Sequence, residues 1–184
     1  MVFRRGRSPL AVALSLALPS LAFAQAGGTG TAGGIQWKVP SAWTVDKGSA
    51  MRVATYKVPG ATADAAGECA VFFFGPGQGG TVDANLERWS RQFEGSPKAE
   101  TAARRVNGLP VTLARISGTY LAPGGPAMQS QGKRPGYRLL GAIVEAPDGL
   151  VFFKLTGPAA TVTGAEKAFE SLVASLARGA PGRS

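Results

Sequence analysis

The sequence predicts an α+β protein, arranged as a three-layer α/β/α sandwich around an antiparallel sheet. Two hairpin signals, Asn107-Gly108 and Pro147-Asp148-Gly149, indicate antiparallel strand pairs. Several strand-like runs are apolar at consecutive positions, which indicates that both faces of the sheet are covered. Two amphipathic segments, one in the middle of the chain and one near its end, supply a helix for each face.

The N-terminus has the pattern of an export signal. A basic start, an apolar run over residues 10–21 and the small-x-small motif Ala22-Phe23-Ala24 predict a signal peptide over residues 1–24, cleaved before Gln25. The alternative is a retained anchor, but the apolar run is shorter than the ~20 residues that a membrane-spanning helix needs. We therefore expect an exported protein, periplasmic or secreted, with no stable membrane anchor after cleavage.

The rest of the chain is predicted to form one domain with short extensions. Residues 25–34 are rich in Gly, Ala and Thr and are expected to be a flexible leader. Residues 35–178 have the length and the apolar content of a single folded domain, and residues 179–184 are expected to be a tail.

Three strands are predicted first, over residues 35–39, 51–58 and 68–74. Trp37 and Trp43, on either side of a turn at Pro40, are expected to be core anchors. A helix over residues 82–94 follows, with Thr81 as its N-cap and Gly95 beyond its end. Its apolar stripe consists of Val82, Leu86, Trp89 and Phe93.

The second half of the chain is predicted to contain two hairpins and a helix. The hairpin strands are expected over residues 101–106, 109–121, 137–146 and 150–156. Residues 122–136, rich in Pro, Gly and Gln, are expected to form a long mobile loop between the hairpins. The final helix is predicted over residues 160–177, with a capping box from Thr163 to Glu166.

Composition excludes several kinds of chemistry. The chain contains no histidine, so it has no Ser-His-Asp triad, no Cys-His pair and no imidazole metal ligand. Cys69 is the only cysteine, which excludes an internal disulfide, and its apolar surroundings predict a buried strand residue. We expect no catalytic activity, no cofactor and no metal.

The charge pattern gives no sign of nucleic-acid binding. Three of the 20 Lys and Arg residues lie in the signal peptide, which leaves 17 basic against 11 acidic residues and a net charge of +6. The basic residues are scattered and are not interleaved with aromatic residues as in a nucleic-acid module. Lys133 and Arg134, in the predicted loop, are candidates for contact with an acidic protein partner.

The glycine-rich segment 75–80 fits the G-x-G-x-x-G pattern between a strand and a helix. A dinucleotide site requires a parallel βαβ unit, whereas the elements that follow form an antiparallel hairpin. An ATP-binding P-loop requires Lys after the last glycine, where this chain has Thr81. Two readings remain: a tight structural connection, or an anion site at the helix N-terminus formed by Gly77, Gly79, Gly80 and Thr81.

Several motifs carry a resemblance to known proteins. They are Trp37-Lys38-Val39-Pro40 with Trp43, Phe72-Phe73-Phe74-Gly75-Pro76-Gly77-Gln78-Gly79-Gly80, Asn85 with Arg88-Trp89, Asn107-Gly108-Leu109-Pro110, and Phe152-Phe153-Lys154-Leu155-Thr156-Gly157-Pro158. In these the chain resembles a group of uncharacterised exported bacterial proteins.

More distantly, the element order and the Val-Pro-x-x-Trp turn are similar to the PsbP-like fold. That fold is shared by a photosystem extrinsic subunit and a Ran-binding nuclear-transport factor. The resemblance implies a non-enzymatic protein that docks onto a larger assembly through one face of its sandwich.

The function expected from the sequence is therefore that of an exported, soluble accessory or protein-interaction domain of the cell envelope, with an unknown protein partner. The alternative is a small-ligand or anion-binding protein that uses the glycine-rich loop over residues 75–81.

Overall fold

A computed structural model describes residues 27–46, 51–122 and 132–179. The predicted signal peptide and most of the predicted tail lie outside these residues. The described elements are β1 (Thr29–Ala32), β2 (Ile35–Lys38), β3 (Thr44–Val45), β4 (Ala54–Val58), a 3-10 turn (Ala63–Ala65), β5 (Gly67–Phe73), α1 (Val82–Ser90), β6 (Glu100–Val106), β7 (Leu109–Leu121), β8 (Lys133–Ala146), β9 (Gly149–Pro158), α2 (Ala159–Gly164), α3 (Glu166–Ala174) and β10 (Ala177–Arg178).

The strands form two antiparallel sheets. Seven strands make the larger sheet in the order β3-β4-β5-β9-β8-β7-β6, and β1, β2 and β10 make the smaller one. The predicted hairpins are both present, because β6 pairs with β7 and β8 pairs with β9. The prediction of an α+β protein with antiparallel sheets is thus confirmed. In the described part of the chain, no helix is both long and apolar enough to span a bilayer.

The core consists of two clusters on opposite faces of the larger sheet. Along β8, Leu140, Ala142 and Val144 belong to one cluster, and Leu139 and Ile143 to the other. Neighbouring residues of a strand point to opposite faces, so this alternation explains the continuous apolar run in the sequence. The first cluster includes residues of β2 and α3, and the second includes Trp89 of α1 and Phe93 just beyond it.

Close packing positions α1 on its face of the sheet. Gly141 of β8 lies directly beneath Trp89, and a Cβ atom at position 141 would come within 2.1 Å of a carbon of the indole ring. Only glycine permits this approach without displacing the ring. The contact therefore holds α1 close to β8 at this point of the sheet.

The predicted leader is wrong at residues 29–32, which form β1. This strand pairs with β2 through a hairpin whose turn is Gly33-Gly34, and the ring of Trp37 lies against Gly30. Backbone pairing stabilises a segment that has few apolar side chains. The Gly-Gly turn was a hairpin signal in the sequence.

Both predicted helices are shorter than expected. α1 ends at Ser90, and Phe93 pairs with Tyr120 in an isolated bridge. The predicted final helix is divided at Ala165 into α2 and α3.

The predicted capping box is also wrong. Ala165 is the N-cap of α3 and makes no side-chain cap. The Thr163 hydroxyl instead accepts a hydrogen bond from Arg138, and the Glu166 carboxylate accepts from Arg115 and Arg138 on the sheet. Thr163 and Glu166 therefore bind arginines of the sheet and do not cap the helix.

Candidate functional site

An open pocket of about 450 Å³ lies on the sheet face beside α1, and we call it the Lys154 pocket. The strand register places Lys57, Glu68 and Thr156 in one row across β4, β5 and β9. Ala70 and Lys154 are paired in the next row. Directly paired residues share a face of the sheet, so these side chains lie on the same face as Phe152 of the α1-side cluster. The pocket occupies the part of this face next to that cluster.

Lys154 is the half-buried cation at the centre of the pocket. Its Nζ donates hydrogen bonds to Gln92 Oε1 and, at 3.3 Å, to Tyr120 Oη. Nζ also lies 5.5 Å from the centroid of the Tyr120 ring. Burial lowers the pKa of Lys154 to about 8, the Arg52 charge acts in the same direction, and the Glu68 charge opposes both. The Lys154 amine therefore titrates about one pH unit above neutrality.

Two tyrosines stand beside this lysine. The Tyr120 and Tyr137 rings are stacked, with centroids 5.8 Å apart and an angle of 4° between their planes. Burial raises the pKa of Tyr120 to about 12, so its hydroxyl keeps its proton at neutral pH. The oxygen accepts from Lys154, and among the described residues nothing accepts the hydroxyl hydrogen. Tyr120 thus has a proton to donate to a bound molecule.

Cations outnumber carboxylates around the pocket. Arg52, Lys57, Arg134 and Lys154 face only Asp46 and Glu68, and Glu68 is already bound to Arg52 at 2.8 Å. Arg134, at the exposed rim, donates to Tyr137 Oη at 3.3 Å, and its guanidinium lies 5.8 Å from that ring. A concave surface with this excess of positive charge attracts anions.

Thr156 also lines the pocket, but its hydroxyl does not open onto it. Thr156 Oγ1 has almost no solvent-exposed surface and makes no hydrogen bond within the described part of the chain. Buried polar atoms rarely lack a partner in folded proteins. A ligand oxygen therefore reaches this hydroxyl only if the neighbouring side chains move.

Cys69 does not belong to this site. It is fully buried in the opposite cluster, and burial, together with the nearby Glu68 charge, raises the pKa of its thiol. The sequence prediction of a buried strand cysteine is confirmed, and at neutral pH the residue is an unreactive thiol.

The predicted anion loop lies at the start of α1, apart from the residues that line the Lys154 pocket. Thr81 is the N-cap, as predicted, because its Oγ1 accepts from the Ala84 N–H at 3.2 Å. The Asn85 amide donates to the carbonyl oxygens of Gly79 and Thr81 at 2.7 and 2.8 Å. Gly77, Gly79, Gly80 and Thr81 therefore remain a predicted site, held in shape by bonds within the loop.

The loop hypothesis has a direct test. If the Gly80 amide binds phosphate, Gly80→Asp should abolish any phosphate-dependent rise in melting temperature, because it adds a negative charge at the helix entrance. Gly108→Asp is the matched control, since both glycines have positive φ (80° and 83°) and Gly108 lies in a distant turn. Equal phosphate effects in the two variants, with unchanged far-UV spectra, would exclude the site.

The two predicted partner residues lie on a strand and not in a loop. β8 begins at Lys133, four residues before the predicted start of the strand at residue 137, because Lys133 and Arg134 pair with Leu121 and Tyr120 of β7. The structure also separates their roles. Lys133 forms an ion pair with Glu94, whereas Arg134 lines the Lys154 pocket.

Sequence reasoning missed most of this pocket. Its main members, apart from Arg134, were not predicted site residues: Arg52, Lys57, Glu68, Tyr120, Tyr137, Lys154 and Thr156. One signal was present, since Lys154 interrupts an apolar run and stands two residues after Phe152, on the same face of a strand. A lysine at such a position indicates that this part of the sheet face is not covered by a helix.

Comparison with solved structures places the chain in a known fold. The solution structure of cyanobacterial PsbP (CyanoP) from Synechocystis sp. PCC 6803 covers 89% of this chain and 99% of its own, with 11% identity and a TM-score of 0.53. A protein of unknown function from Pseudomonas aeruginosa covers 85% of this chain and 99% of its own, with 14% identity and a TM-score of 0.48. No protein-family model and no curated protein matches the sequence. The distant PsbP-like resemblance of the sequence is confirmed as a likeness of fold.

Proposed function

We propose that this PsbP-like domain is an exported accessory protein of the cell envelope that acts by binding, and that it binds a small organic anion in the Lys154 pocket. The observation that carries the proposal is the excess of cations in an open pocket that also holds a tyrosine hydroxyl with a free hydrogen. The Tyr120 hydroxyl has no acceptor among the described residues, and its oxygen lies 3.3 Å from Lys154 Nζ. Carboxylate and phosphate oxygens accept such hydrogen bonds.

Export follows from the N-terminal pattern alone. Residues 1–24 combine a basic start, an apolar run and a small-x-small motif, which directs a protein to the periplasm or the medium. A periplasmic or secreted binding protein has no need of a nucleotide cofactor, which agrees with the lack of a nucleotide motif in the sequence.

We also infer that the domain is organised in three layers, with α1 on one face of the larger sheet and α3 on the other. The two core clusters support this arrangement, since Trp89 belongs to one and Phe169 to the other. The layer that contains α1 is incomplete, because this helix is only nine residues long. The part of the sheet that it leaves open holds the pocket.

The pocket residues favour binding over turnover. Its two carboxylates do not form an acid-base pair, because Glu68 is held by Arg52 at 2.8 Å. The volume of about 450 Å³ is that of a site for a small molecule. A partner protein that presents an acidic side chain would use the same chemistry. Free anions distinguish the two cases, because a site for a small molecule binds them without a partner protein.

The proposal is tested by thermal unfolding at low ionic strength with phosphate, acetate, citrate and glyoxylate. We expect at least one anion to stabilise the protein by about 1–3 kcal/mol at concentrations well above its Kd. Lys154→Met and Arg134→Gln should each reduce this shift, since each removes a pocket cation. Lys167→Met, at an exposed position of α3, is the control and should leave the shift unchanged.

A stabilisation of the same size in Lys154→Met would place the anion elsewhere on the surface and contradict the proposal. The Gly80→Asp variant separates the two candidate sites. Gly80→Asp should keep the anion-dependent stabilisation if the ligand is held by Lys154 and lose that stabilisation if the ligand is held by the loop.

A further inference from the structure

The surroundings of Lys154 leave one position on its nitrogen free for chemistry. A lysine Nζ has three tetrahedral positions beyond its bond to Cε. Gln92 Oε1 and Tyr120 Oη occupy two of them. The third position is left for a molecule in the pocket, and in the neutral amine it holds the lone pair.

We propose that the pocket captures its anion covalently, as a small oxo acid that forms an imine with Lys154. The inference rests on the proposed anion binding, because a pocket cation must hold the carboxylate while the amine attacks the carbonyl carbon. Arg134 is suited to this role, since it lies at the rim and can bind a carboxylate with two parallel hydrogen bonds. Oxo acids carry both groups, the carbonyl and the carboxylate, within a few bonds of each other.

The charges that face Lys154 favour a reactive amine. Arg52, Lys57 and Arg134 line the same pocket and disfavour another cation, whereas Asp46 and Glu68 favour it. Tyr120, which also lines the pocket, is neutral near pH 7 because burial raises its pKa. Burial and the Arg52 charge outweigh the Glu68 charge and lower the pKa of Lys154 to about 8. A substantial fraction of neutral amine is then present near neutral pH, as a nucleophilic lysine requires.

The reaction balances with the groups that are present. The Nζ lone pair attacks the carbonyl carbon, a C–N bond forms, and the C=O double bond becomes a C–O single bond. One nitrogen proton moves to this oxygen and gives a carbinolamine.

Tyr120 then acts on the leaving group. Its hydroxyl, next to Nζ, donates a proton to the carbinolamine hydroxyl, which leaves as water while the C=N bond forms. The protonated imine returns its proton to the Tyr120 oxygen. No electrons are exchanged with a third molecule. Gln92 Oε1 accepts a hydrogen bond from Nζ and orients the amine for as long as the nitrogen carries that hydrogen.

The test uses glyoxylate with cyanoborohydride, which reduces imines to stable adducts, followed by peptide mapping by mass spectrometry. We expect Lys154 to be labelled at least about tenfold faster than exposed lysines, because its neutral fraction is larger at neutral pH. Lys98 and Lys167 are exposed, do not line the pocket and serve as internal controls in the same digest. The Lys154 rate should rise with pH up to about 8 and then level off.

Two variants separate the roles of the residues. Lys154→Arg should keep anion-dependent stabilisation and form no adduct at position 154, because a guanidinium retains the charge without a nucleophilic amine. Tyr120→Phe keeps the stacked ring and should slow labelling of Lys154 by about a hundredfold, the usual size of general-acid catalysis. An unchanged rate in Tyr120→Phe would overturn the assignment of Tyr120 as proton donor.

The failures of the two proposals are distinguishable. Anion-dependent stabilisation with labelling of Lys154 no faster than that of exposed lysines would overturn imine capture and leave the anion site standing. Excess acetate should slow labelling of Lys154 alone if the carboxylate is bound in the pocket. Equal effects of acetate on all lysines would overturn that part of the proposal.

Discussion

Trp89→Ala is expected to lower the free energy of unfolding by about 3–5 kcal/mol, the range for removing a large buried aromatic side chain. The Trp89 side chain is 5% exposed and belongs to the cluster between α1 and the larger sheet. Its ring lies on Gly141, which has no side chain to fill the space left by the indole. Urea denaturation monitored by far-UV circular dichroism measures the change.

The same contact gives a coupled test. Gly141→Ala should also destabilise the protein, because the new Cβ would overlap the indole ring at 2.1 Å. The double variant Gly141→Ala/Trp89→Leu should lose less stability than the single variants Gly141→Ala and Trp89→Leu lose in total, since the smaller side chain relieves the overlap. Leu86→Ala, at a partly buried position of α1, is the control and should have a smaller effect. A near-neutral result for Trp89→Ala would mean that this face of α1 is a surface open to a partner.

Sequence patterns predicted those parts of the fold that depend on local chemistry. Asn107 and Gly108 have φ values of 48° and 83°, which few other residue pairs adopt, so this hairpin could be located from two letters. The core anchors Trp37 and Trp43 are each 1% exposed. Burial of a large aromatic side chain is strongly favourable, so the position of both residues in the core could be predicted.

The elements that were missed depend on pairing with distant residues. β10 consists of Ala177 and Arg178 and exists because these residues pair with Gln36 and Ile35. The break at Ala165 directly follows Gly164, a residue that weakens a helix, and Glu166 just beyond the break pairs with Arg115 and Arg138 on the sheet. The sequence thus contained a local signal for the break, whereas β10 has none of its own because its pairing partner lies far away in the chain.

The Lys154 pocket was missed for a similar reason. Its lining comes from strands far apart in the chain, and only their register in the sheet brings Lys57, Glu68 and Lys154 onto one face. Periodicity within a strand gives the face of each residue but not its neighbours across the sheet. The bridge between Phe93 and Tyr120, which lies beyond the end of α1, likewise could not be predicted from the helical spacing of apolar residues.

Lys154→Met is expected to stabilise the protein at pH 7 by about 1–3 kcal/mol, although it removes two hydrogen bonds. Burial lowers the pKa of Lys154 from 10.5 to about 8, which means that the folded protein binds this proton less tightly than the unfolded chain does. Methionine has a similar length and no charge to desolvate. The gain is partly offset by loss of the contacts with Gln92 and Tyr120.

The pH dependence of this gain identifies its origin. The advantage of Lys154→Met over the parent should be complete below pH 8 and should shrink as pH rises from 8 towards 10.5, because the parent lysine then loses its proton in both states. The difference between the two proteins is the quantity to follow, by denaturant unfolding from pH 6 to about 9.5. The thiol of Cys69, whose pKa is raised by burial, also affects stability in this window, but it does so equally in both proteins.

A constant advantage across this range would show that the gain comes from packing and that Lys154 is not held at an electrostatic disadvantage. A gain that disappears as the lysine deprotonates would mean that the fold tolerates a destabilising cation in an open pocket. Natural proteins keep such residues where binding or chemistry requires them, since activity and stability compete at functional sites. Stabilisation by Lys154→Met together with loss of anion binding in the same variant would therefore identify Lys154 as a residue kept for function.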